Sequence, residues 1–269
     1  MTAGAQARIH PSAIVEPGAE IGPGCEIGAL AVIGAQVRLG AGVTVKPHAV
    51  LTGITEVGEG STIFSFACVG EVPQDLKYKG EPTRLTIGAR CRIREGATLN
   101  TGTEGGGGLT RVGDDCLIMA GAHVAHDCKV GNRVILVNNA ALAGHCTVED
   151  DVIIGGLSGV HQWVRIGRGA IIGAVTMVTN DVIPYGLVQA PRGELDGLNL
   201  VGLKRRGFSH QTLHDLRAAY RILFFGDDVF KARVEIVREK FAHSPEVMRM
   251  LSFIDASEHR PLMTAARDE

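Results

Sequence analysis

The chain has 269 residues, 45% of them hydrophobic but only 4% aromatic, and its 27 basic and 29 acidic side chains leave a formal net charge of −2. That balance gives no global electrostatic reason to expect nucleic acid or an anionic membrane as the main partner. No apolar run approaches the ~20 residues needed to span a bilayer, and the opening MTAGAQARIHPSAIVEPGAE lacks the apolar stretch of a secretory signal, so a cytoplasmic location is expected.

From the start of the chain an aliphatic residue recurs every six positions: Ile9, Val15, Ile21, Ile27, Ile33, Leu39, Val45, Leu51, Val57, Ile63 and Val69. The register resumes at Ile87, Ile93 and Leu99, then runs unbroken from Val112 to Val178. The residue two before each anchor is small or β-branched, as at Ala13, Ala31, Ala170 and Thr176, with Leu85 the largest exception. Cys25, Cys91, Cys116, Cys128 and Cys146 occupy this slot, so five of the six cysteines read as buried small hydrophobes. A helix cannot use such spacing, since six residues at ~100° each land about 240° round the axis. Two inward positions separated by one residue suit short strands, whose side chains alternate faces. Glycine often follows the anchor, as at Gly22, Gly28 and Gly34, which fits tight corners.

Two insertions interrupt the repeat, near 71–86 and 100–111. The first, GEVPQDLKYKGEPTR (Gly70 to Arg84), carries Gln74, Asp75 and Lys77; the second, NTGTEGGGGLTR (Asn100 to Arg111), is rich in glycine. Neither is a P-loop, and both are candidate substrate loops. Beyond them lie His123, His126, His145 and His161. A coil of three hexads predicts that His126, Gly144-His145 and His161-Gln162 stack along one edge. Asp127 follows His126 and can orient its imidazole, and histidine as a residue type, with an ordinary pKa of about 6.5, suits proton abstraction near neutrality.

The repeat ends near Ile183-Pro184, and Gln189 to Asp196 reads as a linker. Beyond it Ser209 is placed to cap a helix with the stripe Leu213, Leu216, Tyr220 and Phe224, and Ser244-Pro245-Glu246 starts another. The organisation is thus a repeat domain over 1–190 and a helical domain over 191–269. Lys204-Arg205-Arg206 is a local cluster suited to phosphate.

The hexads closely resemble the hexapeptide-repeat family. That resemblance implies a left-handed parallel β-helix of eighteen-residue coils, a prism roughly 40 Å tall for strands spaced ~4.8 Å apart. GEVPQDLKYKGEPTR, AGAHVAHDCKVGN, NNAALAGH, GGLSGVHQ and GLKRRGFS, occurring in that order, resemble the acyl-carrier-protein–UDP-N-acetylglucosamine O-acyltransferase family of lipid A biosynthesis. The resemblance implies transfer of an (R)-3-hydroxyacyl chain from the phosphopantetheine of acyl carrier protein to the sugar 3-hydroxyl, with no other cofactor and no metal. It makes His126 the general base, Asp127 its orienting partner and the Gly144 N–H the oxyanion donor. It places Gln74, Asp75, Lys77, His123, His145, His161, Gln162, Asn199, Arg205 and Arg206 around the nucleotide sugar and pantetheine. It also implies a homotrimer with sites between subunits, whose tail helps dock acidic carrier protein.

Three positions depart from the better-known members. Asn100-Thr101 stand where His-Arg is usual, which raises a 3-amino sugar, giving an amide, as the alternative acceptor. Val201 replaces an acidic residue, and Ala174, with Met177 nearby, stands at the acyl-length position and hints at a somewhat shortened chain. Different readings of the same repeat are a zinc site of three imidazoles, as in γ-class carbonic anhydrases, a coenzyme A-dependent sugar acetyltransferase, and a non-catalytic solenoid.

Overall fold

In the computed structural model, which describes residues 6–190 and 193–265, the hexads become mostly two-residue strands separated by tight corners. Each strand pairs in parallel with the strand one coil on: Arg8 with Glu26 and Ile9 with Ile27, and so up the stack. The pairing yields sheets of eleven, nine and eight strands, the three faces of a left-handed parallel β-helix. Anchors point inward, and Ile33, Leu51, Ile63, Leu99, Ile118, Leu136, Leu142 and Ile154 are fully buried. Ile9, at the first coil, is 46% exposed because nothing stacks beneath it among the described residues.

The slot two before the anchor has a chemical as well as a steric job. The Cys25 thiol donates to the Gly40 carbonyl at 3.1 Å, Cys116 to Gly131 at 3.1 Å, Cys128 to Ala143 at 3.2 Å and Cys146 to His161 at 3.2 Å. Ser158 makes the equivalent bond to Gly173 at 2.8 Å. A small side chain with one weak donor therefore fills the taper and satisfies a buried corner carbonyl of the next coil.

Corner residues in the left-handed region, normally costly without glycine, recur in columns. One column, on the edge joining the eight- and eleven-stranded sheets, reads Arg90, Asp115, Arg133 and Asp151. Arg90 bonds both carboxylate oxygens of Asp115 at 2.7 and 2.8 Å, and Arg133 both of Asp151 at 2.7 and 3.1 Å. One coil above, Arg168 reaches Asp150 at 2.9 Å.

Both insertions leave from the edge joining the nine- and eight-stranded sheets, and both are shorter than the sequence suggests. Strands Cys68–Glu71 and Arg84–Ile87 bound the first, and strands Thr98–Asn100 and Leu109–Val112 bound the second. The extra strand residues are real core: Leu85 and Thr110 are fully buried, so inward alternation begins before the aliphatic anchor. A single 3-10 turn, Glu104–Gly106, shapes the second insertion.

The expected linker is instead a hairpin. Strand Gly186–Gln189 pairs antiparallel with Glu194–Leu198, extending the eleven-stranded sheet past the expected boundary at 190, while Pro191 and Arg192 lie outside the described residues. Among the described residues four helices follow: α1 (Leu200–Arg205), α2 (His210–Phe225), α3 (Phe230–Lys240) and α4 (Pro245–Asp255). Ser209 caps α2 by accepting from the Thr212 N–H at 3.1 Å, and Leu213, Leu216, Ala219, Tyr220 and Leu223 form its buried face. Pro245 opens α4, whereas the Ser244 side chain makes no capping bond.

Candidate active site

Asp127 sits at a corner with φ +60°, its N–H donating to Thr110 Oγ1 at 2.7 Å. This conformation turns its carboxylate towards the second insertion, and neighbouring side chains that would diverge along a strand converge instead. Asp127 Oδ1 accepts from the Thr103 N–H at 2.9 Å, and Oδ2 accepts from Thr103 Oγ1 at 2.6 Å and from His126 Nδ1 at 2.8 Å. A carboxylate with three donors has no need of solvent, and Asp127 and His126 are only 3% and 4% exposed. The Nδ1 bond fixes the imidazole tautomer and leaves the Nε2 lone pair free to take a proton. Nε2 faces Asp75 Oδ2 of the first insertion at 3.8 Å.

Two glycines are required by close approach. A Cβ on Gly106 would lie 2.0 Å from Asp127 Cγ, and one on Gly144 would lie 2.4 Å from His126 Cε1. The Gly144 N–H has no hydrogen-bond acceptor among the described residues, while its carbonyl accepts from the Trp163 N–H at 3.2 Å.

His145 lies one coil above Asp127 and Trp163 one coil above His145, all three at left-handed corners. The His145 ring stacks on Trp163 with centroids 3.9 Å apart and planes within 3°, and meets His126 edge-on at 4.9 Å. Burial is the main influence pushing the His145 pKa down, and the same holds for His123, whose Nδ1 shares a 2.7 Å bond with Thr98 Oγ1. Both rings are thereby biased towards the neutral form near pH 7. Across from them, the Lys77 N–H donates to Asp75 Oδ1 at 2.9 Å and holds that carboxyl below the usual range. Asp75, Lys77, Lys79, Thr103, Glu104, His145 and Trp163 line a groove of about 590 Å³ beside His126.

The edge thus gathers His126, Asp127, Gly144, His145, Asp75 and Lys77, with Gln74 exposed on the same insertion and His123 on the adjoining face. His161 and Gln162 share the edge but turn outward, where Arg260 donates to His161 Nδ1 at 2.5 Å and to the Gln162 carbonyl at 3.1 Å. Other expected site residues lie elsewhere in the single chain. Asn199 caps α1, accepting from the Gly202 N–H at 3.0 Å and donating to the Gly169 carbonyl at 3.0 Å. Arg206 reaches the Asp151 carbonyl at 2.5 Å, on the edge of the Arg–Asp column, and Arg205 is exposed beside it. Ala174 is exposed on the third edge, next to Val175 and Met177. Asn100 and Thr101 are buried: the Asn100 amide donates to the Glu71 and Val72 carbonyls at 3.3 and 3.1 Å, and Thr101 bonds Thr83 at 2.9 Å. These two residues pin the base of the first insertion.

Sequence reasoning missed Thr103, Lys79, Trp163 and Arg260. Trp163 was recoverable, being the chain's only tryptophan and two coils on from Asp127. Thr103 and Arg260 were not, because loop conformation and a long-range contact place them. Metal-ligating atoms of His126, Asp127 and His145 lie within 4.8 Å of one another, so the cluster has two imidazoles and a carboxylate rather than the three imidazoles of the zinc reading. Both oxygens of that carboxylate are already engaged by Thr103 and His126.

Residues 181–263 match the family described as UDP N-acetylglucosamine O-acyltransferase, domain 2, and residues 4–35 and 109–144 match the bacterial transferase hexapeptide repeat. The acyl-(acyl-carrier-protein)–UDP-N-acetylglucosamine O-acyltransferase of Rhizobium etli is 48% identical, across 98% of this chain and 97% of that one. The chain belongs to this O-acyltransferase family. The Paracoccus denitrificans member is 66% identical over 71% of this chain and 72% of its own. Among solved structures, a UDP-N-acetylglucosamine acyltransferase at 40% identity superposes with a TM-score of 0.92, covering 97% of this chain and all of that one. The acyltransferase from Campylobacter jejuni gives 0.90 at 37% identity, covering 96% of this chain and 100% of its own.

Proposed function

We infer that this chain is an acyltransferase that moves a 3-hydroxyacyl group from acyl carrier protein to the 3-position of UDP-N-acetylglucosamine, the first step of lipid A biosynthesis, with His126 as general base. Family membership supports the reaction, and one observation carries the mechanism: the buried relay from Thr103 through Asp127 to His126 Nδ1. His126 Nε2 takes the proton of the sugar 3-hydroxyl as its oxygen attacks the thioester carbonyl carbon. The tetrahedral oxyanion accepts from the Gly144 N–H, a donor of a kind whose loss costs roughly 10²–10³ in kcat. Collapse expels the pantetheine thiolate, which takes the proton back from Nε2. No covalent enzyme intermediate is involved, and Cys128 is unsuited to one because burial pushes its thiol pKa well up. The acyl donor arrives on carrier protein, so the chain uses no resident cofactor.

A homotrimer accounts for the scattered residues. Asn199 and Arg206 on one edge, Ala174 on a second and His126 on a third come to a shared site only if neighbouring copies meet edge to edge. Exposed Leu157, Val175 and Met177 offer the apolar surface such contact requires. The cationic Lys204-Arg205-Arg206 cluster suits acidic carrier protein or diphosphate. A cytoplasmic setting agrees with substrates of this kind, and no described helix is long and apolar enough to cross a membrane.

The test is a mass-spectrometric assay with UDP-N-acetylglucosamine, its 3-amino analogue and a panel of acyl-carrier-protein donors. His126→Ala should lower turnover about 10²–10⁴-fold, the usual worth of a positioned general base. Normal turnover in that variant removes His126 from the role. Preference between the two acceptors decides ester against amide.

A further inference from the structure

The helical domain holds a feature that acyl transfer leaves unused. The C-terminal end of α2 (Leu223, Phe224, Phe225), the start of α3 (Phe230, Arg233) and the returning segment Leu262 to Ala265 enclose a half-open pocket of about 480 Å³. Such volumes suit small organic ligands, which fall in the range of about 300–1,000 Å³. The pocket shares no residue with the groove beside His126. Its walls are apolar: three of the chain's eight phenylalanines line it, in a sequence with only 4% aromatics, and Phe225 is left 56% exposed.

One wall carries a cation. Among the described residues, Arg233 Nε is buried without a hydrogen-bond partner, and no carboxylate lies within ion-pair distance of this guanidinium. Its neighbours differ: Arg238 on α3 pairs with Asp255 at 2.9 Å, and Arg249 on α4 pairs with Glu246 at 3.2 Å. Asp227 and Asp228, in the exposed connection before α3, make no such pair with Arg233. Gly226 contributes to the arrangement, because a Cβ there would come within 2.9 Å of Arg233 Cδ. The guanidinium lies 5.4 Å from the Phe230 ring centroid, directly on the aromatic wall. A buried N–H without an acceptor is costly to maintain, and an acceptor supplied from the pocket would satisfy it.

We propose that this pocket is a second ligand site, taking a single-chain amphiphile whose anionic head pairs with Arg233 and whose alkyl tail lies among Leu223, Phe224, Phe230 and Ile254. The shared chemistry is a carboxylate or phosphate on a saturated chain. The site stands apart from acyl transfer, so it does not depend on the role given to His126.

Calorimetric titration of the full-length protein with dodecanoate and dodecyl phosphate tests it, with dodecanol as the neutral control. One or both anions should bind, the tighter naming the head group, and dodecanol should bind at least tenfold more weakly. Arg233→Met should weaken the anion about 10–100-fold, the worth of a charge-assisted hydrogen bond. Shortening the chain should weaken binding about fourfold per buried methylene. Ala265→Phe, which adds bulk to the pocket lining and leaves Arg233 in place, should weaken binding at least tenfold even if the arginine variant fails to fold. His126→Ala should bind like the parent. Unchanged binding in both pocket variants, equal binding of dodecanol, or uptake only by a chain ending at Ala265 would each overturn the proposal.

Discussion

Asp127→Asn offers a sharp test of the relay. The carboxylate accepts three bonds, from the Thr103 N–H at 2.9 Å, Thr103 Oγ1 at 2.6 Å and His126 Nδ1 at 2.8 Å. An amide has one acceptor oxygen. With that oxygen at the Oδ1 position, the Thr103 N–H is satisfied and the NH₂ faces the hydroxyl and the imidazole. The hydroxyl can rotate to accept, but Nδ1 can accept only by giving up its proton. His126 must then carry its hydrogen on Nε2, the atom from which it is to act as base. The opposite amide rotamer sets two donors, the NH₂ and the Thr103 N–H, against each other. Either way the fold survives, because the β-helix core does not depend on this side chain, at a cost of about 1–3 kcal/mol for one mispaired buried group. Turnover should fall about 10²–10⁴-fold, or about 3–5 kcal/mol on the barrier. Single-turnover acyl transfer measures the rate, and ¹⁵N spectra of the imidazole report the tautomer. A variant that keeps Nδ1 protonated and works within a factor of about three of the parent refutes the relay.

Gly144→Ala should lose roughly 10²-fold or more in kcat with little change in stability, since the new methyl displaces the His126 ring rather than any core residue; a fully active variant would show that the ring need not stay where it is. His123 and His145 both have pKa values pushed below the ordinary value of ~6.5. The unfolded chain therefore binds more protons than the folded one as pH falls below about 6.5, so stability should drop there and level off above; urea unfolding at about pH 7.5 and about pH 5.5 checks the sign. Cys128→Ala should retain acyl transfer, and native protein should resist alkylation at Cys128, because burial holds that thiol protonated; loss of all activity on this change would restore a covalent mechanism.

The β-helix was legible because its determinant is one-dimensional. An inward residue every six positions with a small partner two before it suffices to define a coil, and Leu136, Leu142 and Val148 lie buried in that register. The hairpin at Gly186 to Leu198 escaped the reading because proline and glycine mark a tight turn as readily as a linker. At the candidate site, spacing alone brought His126 beside Gly144 and His145 beside Asp127, since adding one coil length is simple arithmetic. It could not reveal that Asp127 turns towards Thr103, because a left-handed corner on an aspartate carries no sequence signature when leucine, arginine and tryptophan occupy equivalent corners. Nor could it reveal that the Asn100 amide serves backbone carbonyls of the first insertion.

The column of Arg90, Asp115, Arg133 and Asp151 bears on a problem peculiar to periodic chains. Aliphatic anchors cannot tell one turn of the spiral from the next, so a strand that docks a full turn out of place buries nearly the same surface as the correct one. Exposed ion pairs add only about 0–1 kcal/mol each to the finished molecule, yet a one-turn slip would set arginine over arginine and aspartate over aspartate. Alternating sign up this edge therefore favours the correct stacking of coils over a one-turn slip, by a margin that greasy contacts alone do not supply.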